Sequence, residues 1–187
     1  MIEIQGEKPL LIVDGYNLMH CSDRYRELID EPGRAPLYSD PFIRSRERVL
    51  TDVASWAQNR YEAHIVYDAA DNLHEEHPSN KSAGVWVHYS QRGESADYVI
   101  EQQAQRALYE GRDVLIVTSD STIRASISQD KGRLQFISST NFVREIAMNE
   151  HEVHEDLRCT PSTKMTFLSR LSKEQQDKLR NLLKKLN

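Results

Sequence analysis

Three apolar runs in this chain each stop at an aspartate. Leu10-Leu11-Ile12-Val13 ends in Asp14, Ile65-Val66-Tyr67 in Asp68, and Val114-Leu115-Ile116-Val117-Thr118-Ser119 in Asp120. Short aliphatic runs bounded by turn residues predict strands buried on both faces. In an open parallel sheet the carboxyl ends of the strands share one edge, where ligands are bound, so the three acids can converge there. Asp97 and Glu101 stand at i and i+4 in a helical pattern, project from one helix face near its positive end, and come to the same edge. Clustered carboxylates raise one another's pKa unless a cation sits among them. An oxygen-only set without His or Cys suits Mg²⁺ or Mn²⁺, hard ions that take one or two carboxylates, waters and phosphate oxygens. The chemistry within reach is activation of water and the clamping of an in-line phosphoryl displacement. Asn17, three after Asp14, and Thr118 and Ser119, beside Asp120, can orient metal waters, hold a phosphate or stabilise turns.

Several elements must position these groups. After the first strand, Leu18, Met19, Tyr25, Leu28 and Ile29 predict a loose helical stretch, and Pro32-Gly33, Pro36 and Pro41 make residues 30–41 a loop. A longer helix starts at Phe42, with Ile43, Val49, Leu50, Val53, Ala54, Ala57 and Tyr61 on its apolar face and Arg44, Glu47, Arg48 and Asp52 away from it. Strand two covers His64 to Tyr67, and the polar stretch 71–84 is expected to be loop. Val85 to Tyr89 alternates as strand three. Ser95 caps a helix that Gly111 stops. Strand four covers Asp113 to Thr118, a short helix Ser121 to Ser128, strand five Leu134 to Ile137, and a further helix runs from about Thr140 to Asn149. Strands alternating with helices, without tight hairpin signals, predict a mainly parallel α/β sheet with helices on both faces and right-handed crossovers. Residues 150–171 are polar and mixed. Ser172 with Gln175 opens a C-terminal amphipathic helix with a stripe of Leu179, Leu182, Leu183 and Leu186, expected to pack on the same domain.

Length and composition narrow the functions available. A chain of 187 residues holds one domain with a full core, and 39% hydrophobic against 28% charged residues is too apolar for disorder. The net charge of −5 excludes a nucleic-acid binder held by bulk positive charge, leaving local basic patches. Cys21 and Cys159 cannot make a disulfide framework and read as free thiols. With no secretory or membrane-length apolar run, a cytoplasmic protein without a membrane role is expected. His74-Glu75-Glu76-His77 has i, i+3 spacing and Pro78 behind it, which does not make a zinc helix. His151 and His154 read as a polar helical turn. Phosphate-cradling glycine motifs and the GxSxG elbow are absent.

Asp14-Gly15-Tyr16-Asn17, Val66-Tyr67-Asp68-Ala69, Glu94-Ser95-Ala96-Asp97 with Glu101, and Val117-Thr118-Ser119-Asp120 occur in that order. The ordered set, over about residues 9–150, closely resembles the YacP-like NYN-domain family, relatives of PIN-domain nucleases. The resemblance implies a three-layer PIN-like fold over 1–150, with 151–187 as a C-terminal extension. It further implies a metal-dependent endoribonuclease, since the family's best-described type is ribosome-associated and cleaves messenger RNA. Carried over by residue, it implies metal-binding catalytic acids at Asp14, Asp68, Asp97 and Asp120, with Asn17 and Ser119 supporting them; helix spacing adds Glu101 as a ligand. Mg²⁺ or Mn²⁺ would be the cofactor, and RNA, messenger RNA on the ribosome in the family's type, the partner. The loops at 30–41 and 70–84 depart from the family pattern, and substrate and ribosome contacts would lie there. A small-molecule phosphatase and a non-catalytic RNA- or ribosome-binding module are the competing readings. The phosphatase lacks the second acid that an aspartyl-phosphate enzyme places two residues after its first.

RNA near an acidic edge needs cations. Arg24, Arg26, Arg34, Arg44, Lys81, Arg92 and Arg124 are the candidates, Arg92 and Arg124 foremost because each lies within a few residues of a proposed metal acid. Tyr16, Trp86 and Tyr98 are candidate stacking platforms.

Overall fold

In a computed structural model, residues 7–29, 41–68, 79–91 and 93–159 are described, with side chains as far as residue 150. The chain divides into two compact units, Met1–Asn149 and Glu150–Asn187. Six strands, β1 (Leu10–Asp14), β2 (Glu62–Tyr67), β3 (Asn80–Ser82), β4 (Val85–Tyr89), β5 (Val114–Val117) and β6 (Leu134–Ile137), form one sheet. Its order is β3-β4-β2-β1-β5-β6. All neighbours are parallel except β3 and β4. The helices are α1 (Gly15–His20), α2 (Asp23–Arg26), α3 (Ile43–Ala57), α4 (Ala96–Tyr109), α5 (Ser121–Ser126) and α6 (Ser139–Cys159). The chain is therefore an α/β protein with a mainly parallel sheet flanked by helices.

The β1 strand occupies the middle because all five of its residues are buried. Its side chains alternate between two cores. Leu11 and Val13 join Val49, Val53 and Trp56 of α3 and Phe142 and Ile146 of α6. Leu10 and Ile12 join Ile100, Ala104 and Leu108 of α4 and Ile123 of α5. Burying one Leu, Ile or Val side chain stabilises the fold by ~1.5–3 kcal/mol. Strands two-sided in this way carry no polar alternation, so their sequence reads as a continuous aliphatic run. From β1 the chain builds outward to β2 and β4 on one side, then crosses by α4 to β5 and β6 on the other. Strand order thus reverses between β1 and β5, the point at which such sheets open a crevice at their carboxyl ends.

Four expectations need correction. Asn80–Ser82, placed in loop, is an exposed antiparallel edge strand. It joins β4 through a two-residue turn in which Ala83 and Gly84 both have positive φ, 49° and 82°, the geometry that matches the twist of a tight hairpin. The helix expected to end at Asn149 continues to Cys159, and the one expected to reach Ser128 ends at Ser126. Asp52, expected on the solvent side of α3, is only 3% exposed. Its carboxylate accepts from Arg24 through both Nε and Nη2, at 2.7 and 2.9 Å, and from Tyr25 Oη at 3.0 Å and Arg48 Nε at 3.2 Å. Four charge-assisted or hydroxyl bonds offset its burial and tie α2 to α3. The loop at 30–41, most of that at 70–84, and the C-terminal amphipathic helix lie outside the described residues. Among the described residues no helix is long and apolar enough to cross a membrane.

Candidate active site

At the carboxyl edge of β1 and β2 lies an open cleft of about 590 Å³. Asp14, Asp68 and Asp97 line it together with Asn17 and Ser119. The peptide that ends β1 turns directly into α1, and Asp14 caps that helix, its Oδ1 accepting from Asn17 N at 3.0 Å. Gly15 makes the turn possible. A Cβ at this position would overlap the ring of Tyr67, at the end of β2. Asp68 follows Tyr67 directly and receives long contacts of 3.5 Å from Ser90 Oγ and from Ala96 N at the start of α4. Ser95 caps α4, its Oγ accepting from Tyr98 N at 3.2 Å, and so fixes Asp97 in the first turn facing the same cleft.

Asp120 and Glu101 do not line the cleft but act on it electrostatically. Asp120 caps α5 through Thr122 N at 2.7 Å. Thr118 links it to Asp14. The buried Thr118 hydroxyl donates to Asp14 Oδ2 at 3.2 Å and accepts from Asp120 N at 3.0 Å. This link spans the reversal of strand order between β1 and β5.

Charge in the cleft is held at a cost. Burial pushes the Asp14 carboxyl up to about 6, against the lowering pull of its bonds from Asn17 and Thr118, and Asp97 and Asp120 push it further. Asp97 is raised as well, by burial and then by Asp120, Glu101 and Asp68. The mutual repulsion shows that these acids share one field. Among the described residues Asp14, Asp97 and Asp120 form no ion pair, so none of those residues supplies them a neutralising cation. An all-oxygen, net-negative donor set fits a hard divalent cation. No three such side chains among the described residues converge on one point as they stand. Magnesium, which takes one or two carboxylates and keeps its waters, does not require that convergence.

Asn17 has a second job. Its Oδ1 accepts from Ser119 N at 3.0 Å and from the buried Ser139 hydroxyl at 2.6 Å, and Ser119 Oγ accepts from Ser139 N at 3.2 Å. This clasp joins α1, the end of β5 and the start of α6. With both lone pairs of Oδ1 engaged, Asn17 offers the cleft only its Nδ2 donors. Sequence reasoning passed over Ser139, although its place two residues after β6 at the same sheet edge was the available signal. It also passed over His20 and Cys21, which line the cleft. Burial pushes the Cys21 thiol up, so it is not an activated nucleophile. Tyr16 does line the cleft, and Arg46 holds it from behind, donating from Nη2 to Tyr16 Oη at 2.5 Å. The Arg46 guanidinium lies 5.3–5.7 Å from the ring centres of Tyr16, Phe42, Tyr67 and Tyr89.

The proposed RNA-binding cations fare unequally. Arg24 is engaged by Asp52, and Arg26 by Asp23. Arg124 is exposed, with its guanidinium 5.3 Å from the ring centre of Phe136. Lys81 lies over Trp86 at 5.3 Å. Arg44 and Tyr98 are exposed. Arg34 and Arg92 lie outside the described residues.

The fold has solved relatives. It is similar to the crystal structure of Rae1 (YacP) from Bacillus subtilis, with TM-score 0.62 and 22% identity over 94% of this chain and 94% of that one. A mutant structure of the same protein matches with TM-score 0.60 and 19% identity, over 93% and 99% of the two chains. No curated protein sequence matches. The YacP-like NYN domain matches residues 11–184, past the end of the sheet and into the C-terminal extension. By that match the chain belongs to the YacP-like NYN domain family, and its sheet and helices have the PIN-like nuclease fold.

Proposed function

We propose that this protein is a metal-dependent endoribonuclease that hydrolyses phosphodiester bonds of RNA in the cleft below β1 and β2. The observation that carries the reading is the meeting of Asp14, Asp68 and Asp97 in one cleft at the sheet edge, with Asp120 tied to Asp14 through the Thr118 hydroxyl. Asp14, Asp68, Asp97 and Asp120, with Glu101 behind them, are the groups that would hold Mg²⁺ or Mn²⁺, whose charge neutralises phosphate and eases deprotonation of water. The rest falls to the chain's own groups. Asn17 and Ser119 line the cleft, and with their oxygens already accepting, the Asn17 amide N–H groups and the Ser119 O–H are left as donors that can hold a non-bridging phosphate oxygen. The clasp through Ser139 keeps both from turning away, which is the preorganisation that electrostatic catalysis needs. Attack by water leaves a 5′-phosphate and a 3′-hydroxyl.

Messenger RNA engaged on a ribosome is the finer reading of the substrate, supported by membership of the family alone. RNA digestion in Mn²⁺ or Mg²⁺, with and without EDTA, tests the activity. Cleavage is expected to stop in EDTA and in Asp97→Asn while the variant keeps its circular dichroism. Cleavage that resists EDTA, or full activity in Asp97→Asn, overturns the reading.

A further inference from the structure

Beyond the cleft, β4 carries an uncommon run of side chains on one face. Trp86 and His88, two residues apart, hold their rings in a near-parallel stack, with centres 6.3 Å apart and planes inclined by 24°. Lys81, opposite Trp86 in the β3–β4 register, places its ammonium 5.3 Å from the centre of the indole ring. On the other flank His64, opposite Trp86 in β2, meets His88 with ring centres 4.8 Å apart and Nδ1 3.1 Å from His88 Nε2. Ser79 Oγ lies 2.7 Å from His88 Nδ1, which fixes the outer ring. Burial and the neighbouring His64 hold the His88 imidazole near 4, so it is a neutral ring at physiological pH. Packing of α4 falls on β1, β2 and β5, and Trp86 and His88 stay half-buried beyond its edge.

A buried core does not need this composition. Two flat rings with a cation over one of them make a surface for stacked bases and their phosphates, since every base has a π-face. The same face of β4 runs toward the cleft. Ser90, on the same chain run, contacts Asp68, and Trp86 lies four residues earlier, about 13 Å away at ~3.3 Å per residue. With a net charge of −5, a strand entering the acidic cleft needs such local anchorage.

We infer that the Trp86–His88–Lys81 face of β4 is a stacking platform for unpaired RNA, holding bases that flank the phosphate bound in the cleft. This rests on the nuclease reading above and adds where the strand runs. It predicts a preference for strands long enough to reach both places.

The chain's two tryptophans make the test direct, because Trp56 is buried and Trp86 is not. Oligouridines of ~4 and ~12 nucleotides, within the site sizes of single-strand binders, are titrated in Ca²⁺, with strand integrity checked on a gel. The longer strand is expected to quench tryptophan fluorescence and to bind about tenfold more tightly than the shorter, as a stacked base contributes. Trp86→Ala should lose the quenching and that tenfold, while cleavage of the short strand in Mn²⁺ stays unchanged. His88→Ala and Lys81→Glu, whose thermal midpoints report folding, should weaken the long strand alone. Binding of the long strand unchanged in all three variants overturns the platform, and so does quenching that persists in Trp86→Ala. Unchanged RNA binding with loss of a dimer in sedimentation overturns it in favour of a second copy on this face. A wild-type protein that cuts both strands without a Trp86 response sinks the platform and leaves the nuclease; one that neither binds nor cuts RNA sinks both.

Discussion

Replacing Asp14 by asparagine should make the metal-free protein more stable while removing its activity. The side chain keeps its size, and an amide can still accept from Asn17 N and donate to Thr118 Oγ. What it removes is a carboxylate that is 8% exposed and whose pKa rises from 3.8 to about 6 on folding. The sign follows from proton counting. Between these two values the folded protein holds a proton that the unfolded chain has released, so stability falls as pH rises through the window. Above about pH 7 the full penalty is present, and two pKa units at 1.36 kcal/mol each make it about 3 kcal/mol. Asp97, raised for the same reasons, adds in the same direction. In urea melts in EDTA, Asp14→Asn is expected to exceed wild type by up to about 3 kcal/mol at pH 8, and the gap should close toward pH 4. In heating, ~2–4 °C per kcal/mol applies to a chain of this length. Millimolar Mg²⁺ or Mn²⁺ should then raise the wild-type midpoint at pH 8 and leave that of Asp14→Asn almost unmoved. A gap between the two proteins that is the same at pH 4 and pH 8 would refute the account of Asp14 as a buried charge raised by its neighbours.

Two further outcomes follow from the packing around the cleft. Ser139→Ala removes the donor to Asn17 Oδ1, so stability should drop by about 1 kcal/mol in denaturant melts and cleavage should slow with KM little changed. Gly15→Ala forces a methyl at the start of α1 against the buried Tyr67 ring at the end of β2, and should cost ~1–3 kcal/mol by the same melts.

Strand-end acids were legible from sequence because a strand buried on both faces is an unbroken aliphatic run, and the residue that breaks it must lie at the sheet edge. Asp14 and Asp68 were found that way, and Ser95 as a cap placed Asp97. What depended on the far side of the molecule was not legible. Arg24 looked like a surface cation because its partner Asp52 lies 28 residues on, on a helix whose polar stripe hides one buried carboxylate. Asn80–Ser82 gave no strand signal because all three residues are polar and exposed, and the pairing runs through backbone alone. Arg46 sits in a heavily charged stretch, and only the fold shows it enclosed by four aromatic rings.

The bonds that close the cleft are long-range in sequence. Asp14 meets Thr118 across 104 residues, and Asn17 meets Ser139 across 122. During synthesis from the N-terminus, β1 can pair with β2 early, yet a chain that ends after α4 has neither β5, Asp120 nor the Ser139 clasp. Contacts of this span form late and slowly. The site therefore has a built-in order of assembly: its first acid is made near the beginning and waits for nearly the whole domain before it acquires its neighbours. Every fragment that stops short of β6 lacks the clasp, and one that stops before Asp120 lacks an acid as well, so the cleft takes this form only once the chain extends to Ser139.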